Sequence, residues 1–332
     1  MMCTDVPALI LAPMDGVTDA AMRALQGETG AFSLAVSEFL RVSQHAPPRH
    51  VFLRHVPELA TGSRTQTGLP VQVQLLGGDP ERMAQAALTA CEAGATAIDI
   101  NFGCPAPTVN RHDGGATLLK FPCRIRAVTA AIRAAIPAEI PVSAKLRLGW
   151  DTLNAIHENA EMAAEGGAAW ITIHGRTRVA GYAPPAYWEP IGLVRERLGG
   201  PNGIPVVANG DIWTIEDFRR CRDQTGCSHF MLGRGALANP LLPFQAAREL
   251  GIAAKTLHPA HLSSEWAPRL RRLVAYTEQF EGPAIARTPY RIKQWLRLAA
   301  KFGDFTDFER IKTARTSEEL LELLTDELRQ AA

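Results

Sequence analysis

The sequence predicts an α/β fold: a closed (β/α)8 TIM barrel followed by a smaller all-helical C-terminal domain. Three observations carry this. Short apolar runs recur eight times before residue 240, at 8–14, 34–40, 71–77, 97–103, 142–149, 170–176, 205–211 and 229–235. Helix-like segments lie between most of them, which implies parallel strands joined by crossover helices. After residue 250 the strand pattern stops and only amphipathic helical patterns follow. Most of the runs are continuously apolar rather than alternating, as expected of strands covered on both faces. Eight such units in about 240 residues fit a barrel. An open doubly wound sheet is the structural alternative.

The helices between the strands carry their own start signals. Asp79-Pro80-Glu81 supplies an N-cap residue, a proline at the first helical position and an acid in the first turn. Thr214-Ile215-Glu216-Asp217 opens another helix. Two connections are long, 41–70 and 104–121, and loops of that length are usually functional or disordered. Beyond the barrel, 260–280, 288–301 and 316–330 read as helices. The expected division is a catalytic barrel over 1–248 and a helical domain over 249–332.

Composition narrows the class. The 332 residues are 46% hydrophobic and 21% charged, with a formal net charge of +1. No global field argues for or against nucleic acid, so any basic surface must be local. The six cysteines, Cys3, Cys91, Cys104, Cys123, Cys221 and Cys227, show no CxxC spacing and no zinc-like cluster, so no metal is expected. The opening residues Met1-Met2-Cys3-Thr4-Asp5 lack a signal-peptide layout, and Cys3 does not resemble a lipidation site. No apolar run reaches the roughly 18 residues of a membrane span. The expectation is a reduced cytoplasmic protein without a membrane partner, acting as a monomer.

In a barrel the carboxyl ends of the strands share one mouth. Those ends read Ala12-Pro13-Met14-Asp15-Gly16, Ser37-Glu38, Gln74, Asn101 with Cys104, Lys145 with Arg147, His174 with Arg176, Asn209-Gly210-Asp211 and Gly233-Arg234-Gly235. One polar strand end is an ordinary cap; eight together are costly to bury without a purpose. The last two follow the seventh and eighth strands, where barrels commonly bind phosphate through backbone N–H groups. Arg234 adds a charge-assisted contact there. Gln74, Lys145 and His174 are donors suited to the rim of a planar heterocycle, and Lys145 is a cation suited to an anionic reduced flavin. The competing readings are an interior ion pair of Lys145 with Glu38 or Asp99, and a satisfied core histidine at 174.

Cys104 follows Ile98-Asp99-Ile100-Asn101-Phe102-Gly103 and precedes Pro105. Its thiol could be structural, a nucleophile or a proton donor. A thiol has a reference pKa of about 8.5 and keeps its proton near pH 7. A nucleophile needs a base to lower that value, and no nearby motif supplies one. The proton donor fits a neutral thiol beside a reducing cofactor.

The combination resembles the flavin-dependent tRNA-dihydrouridine synthases. The matching segments are Ala12-Pro13-Met14-Asp15-Gly16-Val17-Thr18-Asp19, Val73-Gln74-Leu75, Asn101-Phe102-Gly103-Cys104-Pro105, Gly114-Gly115-Ala116, Lys145-Leu146-Arg147, His174-Gly175-Arg176-Thr177, Asn209-Gly210-Asp211 and Gly233-Arg234-Gly235. Arg147-Leu148-Gly149-Trp150-Asp151 and Arg291-Ile292-Lys293-Gln294-Trp295-Leu296 are similar to the bacterial C subfamily, which modifies uridine 16. The resemblance implies FMN in the mouth, NADPH as transient reductant, tRNA as partner and Cys104 as the general acid that protonates C5 of the uracil. It implies flavin contacts from Ala12, Pro13, Met14, Gln74, Lys145, His174, Asn209, Gly210, Asp211, Gly233 and Arg234. It implies that Asn101, Arg147 and Tyr182 hold the target uracil, with Glu38 also counted as substrate-binding. Pro107 stands where the family commonly carries a lysine, and Phe102 where it often carries a smaller apolar residue.

A tRNA substrate requires a basic face. Arg287, Arg291, Lys293, Arg297 and Lys301 fall in fifteen residues without an acid. Lys293, Arg297 and Lys301 share one helical face, and Ile292, Trp295, Leu296 and Ala299 form the opposite one. Arg291, Lys293 and Arg297 are therefore expected to bind RNA backbone. The alternatives are a barrel flavin reductase acting on a free pyrimidine, which needs no basic helix, and a non-catalytic tRNA-binding protein, against which the intact Cys104, Lys145, His174 and Arg234 argue.

Overall fold

The computed structural model describes residues 6–111, 113–199, 203–253, 258–262, 266–282 and 288–330; Cys3 and Arg287 lie outside the described residues. Eight parallel strands close in sequence order, with β8 pairing back onto β1. They are β1 (Ala8–Leu11), β2 (Leu34–Arg41), β3 (Val71–Leu76), β4 (Ile98–Asn101), β5 (Val142–Arg147), β6 (Trp170–His174), β7 (Val206–Asn209) and β8 (His229–Leu232). All eight expected strands are present and closed, which removes the open-sheet alternative. All but β2 end earlier than their apolar runs, so Cys104 and Asp211 stand on loops just past the strands.

The continuous apolar runs have the expected cause: the strands are covered on both sides. The outer faces pack under the ring of helices in one large core that includes Val73, Ile100, Leu146, Ile173 and Phe230. Inside the barrel, Ile10, Val36, Trp170, Val207 and Met231 form a separate apolar cluster. The interior face of β3, β4 and β5 is instead polar, with Gln72, Gln74, Asp99 and Ser143 all buried.

The predicted caps form. Asp79 accepts from the Arg82 N–H at 2.9 Å and opens the helix Pro80–Glu92. Thr214 and Asp217 make a reciprocal capping box at the helix Ile215–Thr225. The long connection 104–121 folds into two short helical turns, Pro107–Asn110 and Gly115–Lys120. Gly115 has φ +58°, and a Cβ there would meet the Cys104 carbonyl at 3.0 Å and its Cβ at 3.1 Å. Glycine alone fits that conformation and that approach.

The helices Trp266–Glu281, Thr288–Phe302, Phe308–Ile311 and Ser317–Gln330 follow the barrel. Leu270, Leu273, Ile292, Trp295 and Leu296 share one apolar cluster with Met22 and Leu25 of the barrel helix Ala20–Gly27. Trp295 also donates Nε1–H to the Leu237 carbonyl at 2.8 Å. A buried polar clamp reinforces the seam: the Glu28 carboxylate accepts from Tyr276 at 2.7 Å, contacts His261 at 3.1 Å and pairs with Arg272. Burial alone would raise this carboxyl, but the bonds from His261, Arg272 and Tyr276 outweigh it and hold its pKa at about 2.

Candidate functional site

A cavity of about 1080 Å³ opens at the carboxyl ends of the strands. Its lining joins Ala12, Met14, Gln74, Asn101, Cys104, Lys145, Arg147, His174, Asn209, Gly233 and Arg234, so the residues singled out from seven strand ends meet in one space. Pro13, Gly210, Asp211 and Tyr182 line it too. Six cations, Arg41, Lys145, Arg147, Arg234, Arg297 and Lys301, face two carboxylates, Asp15 and Asp211. Such a rim favours an anionic occupant.

Cys104 stands half-buried on the loop after β4. Asn101 Oδ1 accepts from the Gly103 and Cys104 N–H groups, each at 2.9 Å. The Cys104 carbonyl accepts from Ala116 at 3.1 Å and from Asn110 at 3.3 Å. Burial pushes the thiol pKa up, while a hydrogen bond from the Ala106 N–H opposes that. The thiol therefore keeps its proton at neutral pH, as a general acid requires.

Lys145 is half-buried, and Nζ donates to Asn209 Oδ1 at 3.2 Å rather than to Glu38 or Asp99. Asn209 Nδ2 in turn donates to the Met231 carbonyl at 2.8 Å, which fixes the amide. Burial lowers the Lys145 pKa to about 8, with Arg147 adding to the drop and Asp99 opposing it. His174 is held neutral: burial pushes its pKa well down, and four nearby cations push the same way. Its Nδ1 has no hydrogen-bond partner, and Asp211 Oδ1 makes no hydrogen bond but lies 3.8 Å from the Arg234 guanidinium. A Cβ at Gly233 would sit 3.3 Å from Ala12 Cβ and 3.4 Å from Met14 Sδ, a close fit against the loop after β1. Arg234 lies 5.0 Å over the Tyr182 ring and 4.9 Å over Trp213.

Several expected residues have other work. Glu38 is buried near Arg23 and His55 and accepts from the Gly16 N–H; Phe39 and Arg41 line the cavity in its place. The cause is a register shift in β2 between Val36 and Phe39, which breaks the alternation a sequence reading assumes. Arg291 is buried against the barrel, paired with Asp19 and bonded to the Val17 carbonyl at 3.0 Å. Lys293 donates to the Ala314 carbonyl. Arg297 lines the cavity, and Lys301 does so beside it. Arg147 spends Nε on the Gly103 carbonyl at 2.7 Å and Nη1 on Thr177 and Gly181, so it also braces the Cys104 loop. Asp211 pairs with Arg176 and accepts from the Ala186 N–H at 3.1 Å.

Trp213 and Phe302 were not singled out from the sequence. Their rings stack at 4.2 Å and join the barrel mouth to the helix Thr288–Phe302. Trp213 sits two residues past Asp211, but nothing local pairs it with Phe302. Among the described residues no group of three or more His, Cys, Asp or Glu is placed to hold a metal ion. No helix there is long and apolar enough to cross a membrane.

Closed parallel barrels of this kind with a mouth at the strand ends include oxidoreductases. Histamine dehydrogenase from Rhizobium sp. 4-9 superposes with a TM-score of 0.53 at 15% identity, covering 74% of this chain and 46% of that one. A 2-naphthoyl-CoA reductase superposes at 0.54 and 11%, covering 73% and 50%. At those identities the likeness is one of fold. Sequence carries the rest: the dihydrouridine synthase (Dus) family profile matches residues 10–328. The tRNA-dihydrouridine(16) synthase of Shewanella oneidensis is 42% identical over 95% of this chain and 96% of its own. Those of Pseudomonas syringae pv. tomato (88% and 90%) and Neisseria meningitidis serogroup A (95% and 93%) are also 42% identical. The chain belongs to the dihydrouridine synthase family of oxidoreductases.

Proposed function

We propose that this chain is an FMN-dependent tRNA-dihydrouridine synthase that reduces the C5–C6 bond of uridine 16 in the D-loop, with NADPH as reductant. The observation that carries this reading is a protonated thiol, Cys104, at the wall of a cation-rimmed cavity large enough for a flavin and a base. The residues fit the cofactor: Lys145 Nζ donates to Asn209 and keeps donor capacity beside the cavity, and His174 and the bare backbone of Gly233 line it. Lys145, His174 and Gln74 would hold the ring system, and Gly210, Gly233 and Arg234 its ribityl and phosphate end.

The chemistry FMN would supply there is a hydride, drawn from NADPH, for C6 of the uracil. Cys104 holds the proton that C5 takes, and the two additions saturate the bond. Lys145 keeps a positive charge beside the cavity while negative charge develops there. Asn101, Arg147 and Tyr182 border the remaining space and would orient the base, which must leave the folded tRNA to enter. Arg297 and Lys301 stand at the rim on the helix Thr288–Phe302 and would meet the RNA backbone. The protein would act as a cytoplasmic monomer. The test is to incubate the purified protein with unmodified tRNA and NADPH and to map dihydrouridine. Flavin absorbance and product at position 16 are expected. A protein without flavin, or with flavin but no dihydrouridine, would overturn the reading.

A further inference from the structure

Side chains inside the barrel form one hydrogen-bonded line that ends on the Cys104 loop. Gln74 Nε2 donates to Asp99 Oδ2 at 2.7 Å. Asn101 Nδ2 donates to Gln74 Oε1 at 2.9 Å. Asn101 Oδ1 accepts the Gly103 and Cys104 N–H groups. At the deep end Ser143 Oγ donates to Asp99 Oδ1 and accepts from Gln72 Nε2 at 2.9 Å. The sheet builds this: Gln74 lies opposite Asp99 in the β3–β4 pairing, and Asp99 opposite Ser143 in β4–β5.

Gln74 and Asn101 each have a donor end and an acceptor end of nearly the same shape. Nothing in an amide alone decides which end faces which way. An ionised carboxylate accepts only. Facing Asp99, Gln74 must present its NH2 group, which turns its carbonyl to Asn101. Asn101 must then present its own NH2 group, which leaves its carbonyl for two backbone donors. Were both amides reversed, two N–H groups of the Cys104 loop would face a third donor.

We propose that Asp99 is a positioning residue: its carboxylate sets the direction of this line and so fixes the backbone that carries the Cys104 thiol. The proposal rests on the synthase reading only for what that thiol does. Asp99 is buried and its carboxylate is bonded to Gln74 and Ser143, so it acts on the loop through Gln74 and Asn101. Burial raises its pKa to about 6, with the bonds from Ser143 and Gln74 and the Lys145 charge opposing the rise, so it is ionised at neutral pH.

The test is amide hydrogen exchange at Gly103 and Cys104 in the full-length protein, read by NMR beside the melting temperature. Asp99→Asn replaces an acceptor with an amide and makes both directions of the line available. Exchange at the two amides is expected to rise about tenfold, the effect of one weakened hydrogen bond. Adding Asn101→Asp moves the carboxylate to the far end. The new amide at 99 then donates to Gln74, Gln74 donates to the new carboxylate, and that carboxylate accepts both N–H groups. Parent-like protection is expected to return with the line reversed. Parent-like exchange in D99N overturns the proposal, as does a double variant no better protected than D99N. If D99N fails to fold, recovery of folding in the double variant supports the proposal and its failure overturns it. Exchange is read without RNA, so the result stands apart from whether dihydrouridine is formed.

Discussion

Glu28 and Asp99 are both buried carboxylates, and their surroundings treat them oppositely. Glu28, at the seam between barrel and helical region, is met by Arg272, His261 and Tyr276, and its pKa falls to about 2. Asp99, inside the barrel, accepts from the neutral donors Ser143 and Gln74 and feels the Lys145 charge, yet desolvation outweighs all three and its pKa rises to about 6. Charged partners that hydrogen-bond the carboxylate directly overcome desolvation at Glu28; neutral donors and a charge bonded elsewhere do not at Asp99. The difference teaches what each place is for. At the seam a strong pair holds two parts of the chain together. Under the active loop, a weakly stabilised carboxylate aims other side chains.

The comparison yields effects that separate chemistry from stability. The largest is at the loop itself. Cys104→Ala removes the proposed proton donor and is expected to lower dihydrouridine formation about 10²–10⁴-fold, the usual worth of a positioned acid. Bound flavin absorbance and melting temperature should stay at parent values; a fall in melting temperature would blur the two regions. At the seam the pattern inverts. Glu28→Ala strands His261 and Arg272 and is expected to cost about 3 kcal/mol in urea unfolding, the low end for a broken buried pair because Arg272 is partly exposed. An unchanged denaturation midpoint would break the comparison.

A smaller effect belongs to the rim. Replacing Arg297 and Lys301 together with Ala is expected to weaken tRNA binding and to flatten its salt dependence by roughly 0.7–0.9 in log–log slope per lost phosphate contact. Turnover at saturating tRNA should hold. The smallest effect is a pH slope. Glu28 has its pKa lowered from 4.5 to about 2, so its stabilisation is full above pH 4.5 and is lost as pH falls toward 2. Asp99 has its pKa raised from 3.8 to about 6, so its contribution runs the other way: stability declines as pH rises between those values. Melting curves from pH 7 to pH 3 should show a steeper acid loss in the parent than in Glu28→Ala.

Much of this was legible in the sequence because the signals are local. Eight apolar runs are strands since both strand faces are buried, and Asp79 and Thr214 cap helices by contacts within one turn. The strand ends converge because closure brings them together. Where tertiary packing decided, the sequence misled. Glu38 was placed at the site by counting along a strand whose register shifts. Arg291 was read as an RNA contact because a cation next to a basic face reads as solvent-exposed; Asp19, far away in the chain, claims it. The Trp213–Phe302 stack and the direction of the Asp99 line depend on pairs that only the closed barrel brings together.

The Trp213–Phe302 stack has a consequence for occupancy. One wall of the cavity belongs to the helix that carries Arg297 and Lys301, so the cavity is complete only while that helix is docked. Undocking of the helical region would open that wall, so the residence time of whatever fills the cavity would follow the stability of the seam. Linkage then runs in both directions: an RNA gripping the rim tightens the hold on the occupant beneath it, and a filled cavity makes the rim a better grip.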